Sequence, residues 1–166
     1  MENKLPGTTA KDLIDALQLI PHPEGGFYRE SYRNSESIIT AENNTRNINT
    51  AIYYLLDNAD KSHFHRIKSD ELWFFHQGNP LEIVFIKDSC IHVITLGNDI
   101  SNGEVPQAVI PANIWFGSKV KDAKGYSLVS CAVAPGFDFE DFEMAERKNL
   151  LELYPDLRKA IEEFTR

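Results

Sequence analysis

Apolar positions follow a helical period at both ends of the chain and a strand period between them. In TAKDLIDALQLI, Leu13, Ala16, Leu17 and Ile20 recur at helical spacing. Thr9 is placed to cap this segment and Asp12 to answer the cap from the third helical position, so a short amphipathic helix is predicted. Pro21-His22-Pro23 stops it, Glu24-Gly25-Gly26 supplies a turn, and FYRESYR resumes as an alternating strand. From Asn49 to Phe137 the runs TAIYYLL, ELWFFH, PLEIVFI, SCIHVITLG, PQAVIPANIWFG and GYSLVSCAVA are β-branched or aromatic and closely spaced, with no helical period between them. That order predicts an antiparallel sandwich or barrel rather than βαβ units. NDISNGEV reads as a loop, and the polar SIITAENNTRN as either a mobile flap or a surface loop. Phe142 to Leu153 is helical in composition, and Pro155 can open a last helix carrying Leu157, Ile161 and Phe164 on one face. These helices are expected to cover a sheet or extend a dimer contact.

Composition narrows the partners. The 166 residues, 42% of them hydrophobic and 25% charged, predict one domain over 1–166 with an ordinary core. Seventeen basic against 25 acidic residues give a formal charge of -8, which repels phosphate backbones and anionic lipid, so neither nucleic acid nor a membrane is an expected partner. No apolar run approaches the ~20 residues of a spanning helix, and Met1 to Gly7 lacks a secretory pattern, which points to the cytoplasm. Cys90 and Cys131 lie in apolar, strand-like settings without CxxC spacing and read as small core residues of a reducing compartment.

The candidate chemistry lies in Ser62-His63-Phe64-His65-Arg66 and the following Asp70-Glu71-Leu72-Trp73-Phe74-Phe75. On a regular strand His63 and His65 share a face, as do Glu71, Trp73 and Phe75 on the next, so two imidazoles and a carboxylate can converge inside a barrel. Such a group either holds a first-row divalent metal through His63, His65 and Glu71, or works without one, Glu71 orienting His65 as a base. The alternative is that these are ordinary sheet residues with satisfied rings. His22, beside prolines, reads as a loop or surface residue, and His76 and His92 as satisfied sheet residues.

HxH, a five-residue spacer, Glu71, six residues and Gly78 is similar to the first motif of the cupin superfamily. The second motif is matched in part by Pro111-Ala112-Asn113-Ile114-Trp115-Phe116, with Asn113 where Gly is usual and Phe116 where the fourth metal-binding His would stand. More closely, the chain resembles a small cupin branch of unknown function with an RmlC-like jelly roll. The matching stretches are His22-Pro23-Glu24-Gly25-Gly26-Phe27-Tyr28-Arg29-Glu30, Ile52 to Leu56, His65-Arg66 with Asp70 to Trp73, Pro106 to Pro111, and Val133 to Phe139. In that branch the residue matching His65 is regular and the one matching His63 is not. The resemblance implies an all-β double-stranded β-helix, a jelly-roll cupin barrel of about residues 26–140 flanked by a short N-terminal helix and C-terminal helices. It also implies a ligand cavity in the barrel mouth and a homodimer that protects edge strands.

Three functions follow. One is an epimerase or isomerase on a sugar-like or keto compound, with His65 as base, Glu71 holding its ring, and Tyr28 or Tyr54 returning a proton. In it Arg29, Tyr54, Trp73, Phe75, Trp115 and Phe116 would bind substrate. The second is an oxygenase or isomerase that depends on a divalent metal at His63, His65 and Glu71. The third is a module that binds a small molecule without turning it over.

Overall fold

The computed structural model describes residues 7–166. Of the Met1 to Gly7 segment read for a secretory pattern, all but Gly7 lies outside the described residues. Helix α1 spans Ala10–Leu17 and carries the predicted cap, Asp12 N donating to Thr9 Oγ1 at 3.2 Å and Thr9 N to Asp12 Oδ2 at 2.9 Å.

Among the described residues thirteen strands follow, in two large sheets and a small hairpin. One sheet runs β1 (Ile20–Pro21), β2 (Phe27–Arg33), β5 (Thr50–Asp57), β12 (Tyr126–Ala134), β7 (Asp70–Gly78) and β10 (Gln107–Ile110). The other runs β13 (Glu143–Met144), β6 (Lys61–Arg66), β11 (Phe116–Val120), β8 (Leu81–Lys87) and β9 (Cys90–Leu96). Every pairing within them is antiparallel, and the sequentially distant partners are those of a two-sheet jelly roll.

The strand period fixes which side chains meet between the sheets. Tyr54, Leu56, Trp73, Ile83, Ile110, Phe116, Val129 and Cys131 belong to one buried cluster there. The alternate positions Leu55 and Leu128 face outward and are covered by α1 through Ala10, Leu13 and Leu17. At the other end α2 (Arg147–Leu153) and α3 (Arg158–Phe164) lie on the outer face of the second sheet, Phe164 stacking on Phe64 at 5.1 Å. The C-terminal helices therefore cover a sheet, as one of the two expectations held.

Several local expectations are revised. PQAVIPANIWFG is two strands, β10 and β11, in opposite sheets, because the Pro111–Ile114 turn carries the chain from one sheet to the other. SIITAENNTRN is a hairpin of β3 (Ser37–Ile39) and β4 (Thr45–Asn47), anchored by the buried Arg46, whose guanidinium takes Asp141 at 2.7 Å and Glu140 at 3.1 Å. Phe142 to Met144 is extended, so the helix there begins only at Arg147. Cys90 is exposed at the start of edge strand β9, whereas Cys131 is a core residue as read. His76 and His92 are exposed sheet residues with partners, Ser130 Oγ at 2.8 Å and the stacked Phe85 ring. Among the described residues, no helix is long and apolar enough to cross a membrane.

Candidate active site

A cavity of about 580 Å³ opens at the end of the sandwich where β2, β5, β6, β7 and β12 approach one another. Its apolar wall includes Ile52, Ile67, Val133, Phe137, Phe139 and Phe142, and its polar inner end has His22, Glu24, His65 and Glu71. All four polar residues are buried.

Glu24 stands at the centre of this group. The His22–Gly26 turn folds it inward, with Gly25 at φ +115°, where a Cβ would also run into the Lys61 carbonyl oxygen. His22 and His63 backbone contacts fasten the turn: Gly25 N donates to His22 O at 3.0 Å and His63 N to Glu24 O at 2.8 Å. On the other side of the cavity the β6–β11 ladder slips by one residue between the His65–Phe116 and Ser62–Ser118 pairs, leaving His63 and Phe64 opposite Gly117 alone. This bulge overrides simple alternation. It brings Ser62 and His65 to Glu24 together, Ser62 Oγ donating to Oε1 at 3.1 Å and His65 Nε2 lying 3.0 Å from Oε2.

Hydrogen bonding assigns the protons. The His65 Nδ1 atom lies 2.7 Å from the His63 carbonyl, which can only accept, so Nδ1 carries a hydrogen. Nε2 and the facing carboxyl oxygen of Glu24 must then share one proton, since two lone pairs at 3.0 Å would repel. Burial decides where that proton rests: it pushes His65 down to about 4 and raises Glu24 above the usual carboxyl range, both favouring a neutral acid donating to a neutral imidazole. His22 is similarly kept neutral by burial. Its Nδ1 accepts the Glu24 amide at 3.2 Å, and its 3.5 Å approach to Glu24 Oε2 is not an ion pair.

Glu71 enters the cavity from β7 but does not hold His65, whose ring is fixed by His63 and Glu24 instead. Burial pushes Glu71 up to about 8. Its Oε2 and the neighbouring Trp73 Nε1 are buried without hydrogen-bond partners.

The candidate residues therefore divide. The structure brings His65, Glu71, Tyr28, Tyr54 and Trp73 to the cavity. Tyr54 has its hydroxyl committed to the Gly25 carbonyl at 2.7 Å, whereas no hydrogen bond occupies the hydroxyl of Tyr28 among the described residues. Arg29 borders the cavity, yet its guanidinium lies 5.7 Å from the ring centre of Tyr53, in the cluster under α1. Phe75 packs against the core, Phe116 lies behind His65 with ring centres 4.2 Å apart, and Trp115 faces the C-terminal helices, so none of the three lines the cavity. His63 also lies outside it, its Nδ1 taken by the Glu24 carbonyl at 2.7 Å.

The proposed metal ligands His63, His65 and Glu71 are accordingly not convergent. Both nitrogens of His65 are engaged, His63 points to the loop backbone, and a phenyl ring stands at Phe116. Among the described residues no group of three or more His, Cys, Asp or Glu is placed to hold a metal ion. These residues do not fit the metal that cupin folds often carry.

His22 and Glu24 were not among the residues singled out for chemistry, and His22, read as a loop or surface residue, lies in a loop but is buried. A signal was present, since a carboxylate preceding two glycines after a proline is a turn that can direct a side chain inward, but periodicity assigns no direction to a loop.

A two-sheet jelly roll with a buried polar cluster in a cavity at its mouth defines a cupin-type protein. The chain belongs to the family described as "Cupin superfamily (DUF985)", which it matches over residues 11–145. It is similar to a hypothetical protein from Leishmania major, with 38% identity, TM-score 0.89, and coverage of 95% of this chain and 99% of that one. Protein SO0799 from Shewanella oneidensis is similar at 39% identity and TM-score 0.89, covering 96% and 99% of the two chains. The uncharacterized protein YML079W of Saccharomyces cerevisiae is 29% identical over 95% of this chain and 85% of its own. Oxalate decarboxylase from Bacillus subtilis shares the fold at 9% identity and TM-score 0.55, over 87% of this chain and 36% of that chain.

Proposed function

We propose that this cupin binds a small sugar-like or keto compound in the cavity and moves a proton on it, as an epimerase or isomerase does. The observation that carries this reading is the buried Glu24–His65 pair, 3.0 Å apart on the wall of an otherwise largely apolar cavity and holding one proton between two basic atoms. In the resting state Glu24 is the acid and His65 the neutral acceptor. When the proton passes to Nε2, Glu24 becomes a carboxylate able to take a hydrogen from the ligand carbon beside a carbonyl, and the electron pair left behind moves to that oxygen. Tyr28, edge-on to His22 with ring centres 4.4 Å apart, is the free hydroxyl on the cavity wall that returns a proton. His65 thus acts through Glu24, and Glu71 is kept for ligand binding. The reading further takes the chain as a cytoplasmic homodimer joined at edge strands, where Val93 of β9 and Val109 of β10 stand exposed.

The test is exchange of carbon-bound hydrogen. The protein is incubated in D2O with a panel of hydroxyketones, aldoses and ketoses, and deuterium incorporation is followed by NMR. The expected result is incorporation next to a carbonyl in at least one compound, lost in Glu24→Gln and in His65→Asn. A compound that binds in the cavity and is returned without exchange would leave a binding module and end the catalytic reading.

A further inference from the structure

Charge inside the cavity restricts what can bind there. Among the described lining residues the basic ones are Arg29 and Arg33. Arg33 is spent on both carboxylate oxygens of Glu30 at 2.7 and 2.9 Å, on Asn47 and on the Phe137 carbonyl, while Arg29 lies over Tyr53. No free cation therefore faces the inner end. The carboxyls there are also accounted for, with one exception: Glu24 has Ser62 and His65, Glu30 has Arg33, and Asp138 accepts the Glu140 amide. Among the described lining residues Glu71 is the carboxyl with no cation, hydroxyl or amide partner, its Oε2 making no hydrogen bond and its neighbours being the Trp73 indole and the Cys131 thiol. It is more than nine-tenths buried and lines the cavity, with Oε2 turned into protein and Oε1 left as the oxygen toward the hollow.

We infer that the group received by this inner wall is a protonated amine, so that the ligand is a small amino-bearing hydroxy or keto compound. The inference rests on the cavity being the ligand site and narrows its substrate class. An ammonium on Oε1 supplies the counter-charge that no side chain provides, and the aromatic rings of Tyr28, Trp73 and Phe142 line the same cavity, a setting that favours a cation. Trp73 Nε1 and Glu71 Oε2 are both unpartnered, and an ionised Oε2 is a stronger acceptor for that N–H than the carbonyl of a neutral acid. A carboxylate or phosphate in the same place would bury its charge with no free cation to balance it. A plain hydroxyl would leave Glu71 protonated, without the stronger acceptor that a carboxylate offers the Trp73 N–H. The surplus of acidic residues over the whole chain draws cations to the mouth in the same sense. Glu71 is faced by Glu24 from the turn, Cys131 from β12 and Trp73 from its own strand, none of them cationic, so the proton that burial retains on Glu71 is the one an ammonium displaces.

Two matched sets of probes test this: aminoacetone, hydroxyacetone and pyruvate, and glucosamine, glucose and glucuronate. Each is titrated calorimetrically at pH 7 in two buffers of different ionisation enthalpy. In at least one set the amine should bind at least about tenfold more tightly than its counterparts, with up to about one proton released per ligand. Glu71→Gln, with its fold checked by circular dichroism, should lose the amine preference and the proton release. Should that variant not fold, the wild-type proton count decides alone. Preference for the hydroxyl or carboxylate member, binding of an amine without proton release, or no binding by either amine would overturn the inference. Amine binding without hydrogen exchange in D2O would refute catalysis and leave this assignment standing, whereas exchange on a preferred neutral ligand would do the reverse.

Discussion

Replacing Glu24 by Gln and, separately, by Ala distinguishes a shared neutral proton from an ion pair. In the neutral arrangement Glu24 donates through Oε2 to His65 Nε2 and accepts from Ser62 through Oε1, 3.0 and 3.1 Å away. A Gln side chain reproduces both bonds, its NH2 donating to Nε2 and its carbonyl accepting from Ser62. Glu24→Gln should therefore stay within about 1 kcal/mol of wild type, a shift of roughly 2–4 °C in Tm for a domain of this size. Glu24→Ala strands two buried polar atoms at ~1–3 kcal/mol each, so a loss of roughly 2–6 kcal/mol is expected, toward the lower end if cavity water replaces the carboxyl. Were the pair Glu⁻ and His⁺, Gln would remove the counter-charge of a buried imidazolium, a change that costs ~3–5 kcal/mol. Urea unfolding followed by circular dichroism measures the difference, and 15N shifts of the His65 ring report its protonation directly. A Gln variant as unstable as the Ala variant, or a doubly protonated His65 ring at pH 7, would refute the proton assignment.

Stability should also depend on pH through the same groups. His65, depressed from 6.5 to about 4, adds stability that is complete above pH 6.5 and lost as pH falls toward 4, because the unfolded chain then binds the extra proton. Glu71, raised from 4.5 to about 8, works oppositely: the folded state holds a proton the unfolded state has released, so stability falls as pH rises from 4.5 to 8. Glu71→Gln should consequently stabilise the protein above pH 7, by at most ~5 kcal/mol at about 1.4 kcal/mol per pH unit, and a wild-type urea midpoint that rises from pH 6.5 to 8.5 would contradict this. Gly25→Ala should cost more than ~2 kcal/mol, since its φ of +115° and the Lys61 carbonyl both exclude a Cβ. That variant should also lose D2O exchange before it loses β-sheet circular dichroism, because the turn aims Glu24. Arg46→Met should free the β3–β4 hairpin from Asp141 and Glu140, seen as faster amide exchange in residues 37–47 with the two sheets unchanged; unaltered exchange would show that the ion pair does not hold the hairpin.

The layered architecture was legible because it depends on periodicity. Alternation on β5 and β7 placed Tyr54, Glu71 and Trp73 on the inner face, and the Thr9–Asp12 cap marked the start of α1, each from a local rule that packing then reinforced. Where the chain changes sheets, the same rule gave wrong elements. PQAVIPANIWFG reads as one apolar run, yet the Pro111 turn within it separates strands of opposite sheets, and an apolar run alone carries no sign of such a crossing.

The site was half legible for a related reason. His65 could be identified because it lies on a strand, but its partner depends on a bulge and a glycine turn, two departures from regular geometry that come together at one carboxylate. The slip opposite Gly117 turns Ser62 rather than His63 toward the Glu24 carboxyl, and the Gly25 backbone swings Glu24 between Ser62 and His65. Alternation therefore assigned Glu71 the partnership that belongs to Glu24. The consequence is chemical as well as geometric: with Glu24 closing on His65, the second carboxyl is released from that role and remains buried, unpaired and facing the hollow. One irregular turn thus sets both the proton-sharing pair and the position from which the cavity can read the charge of its ligand.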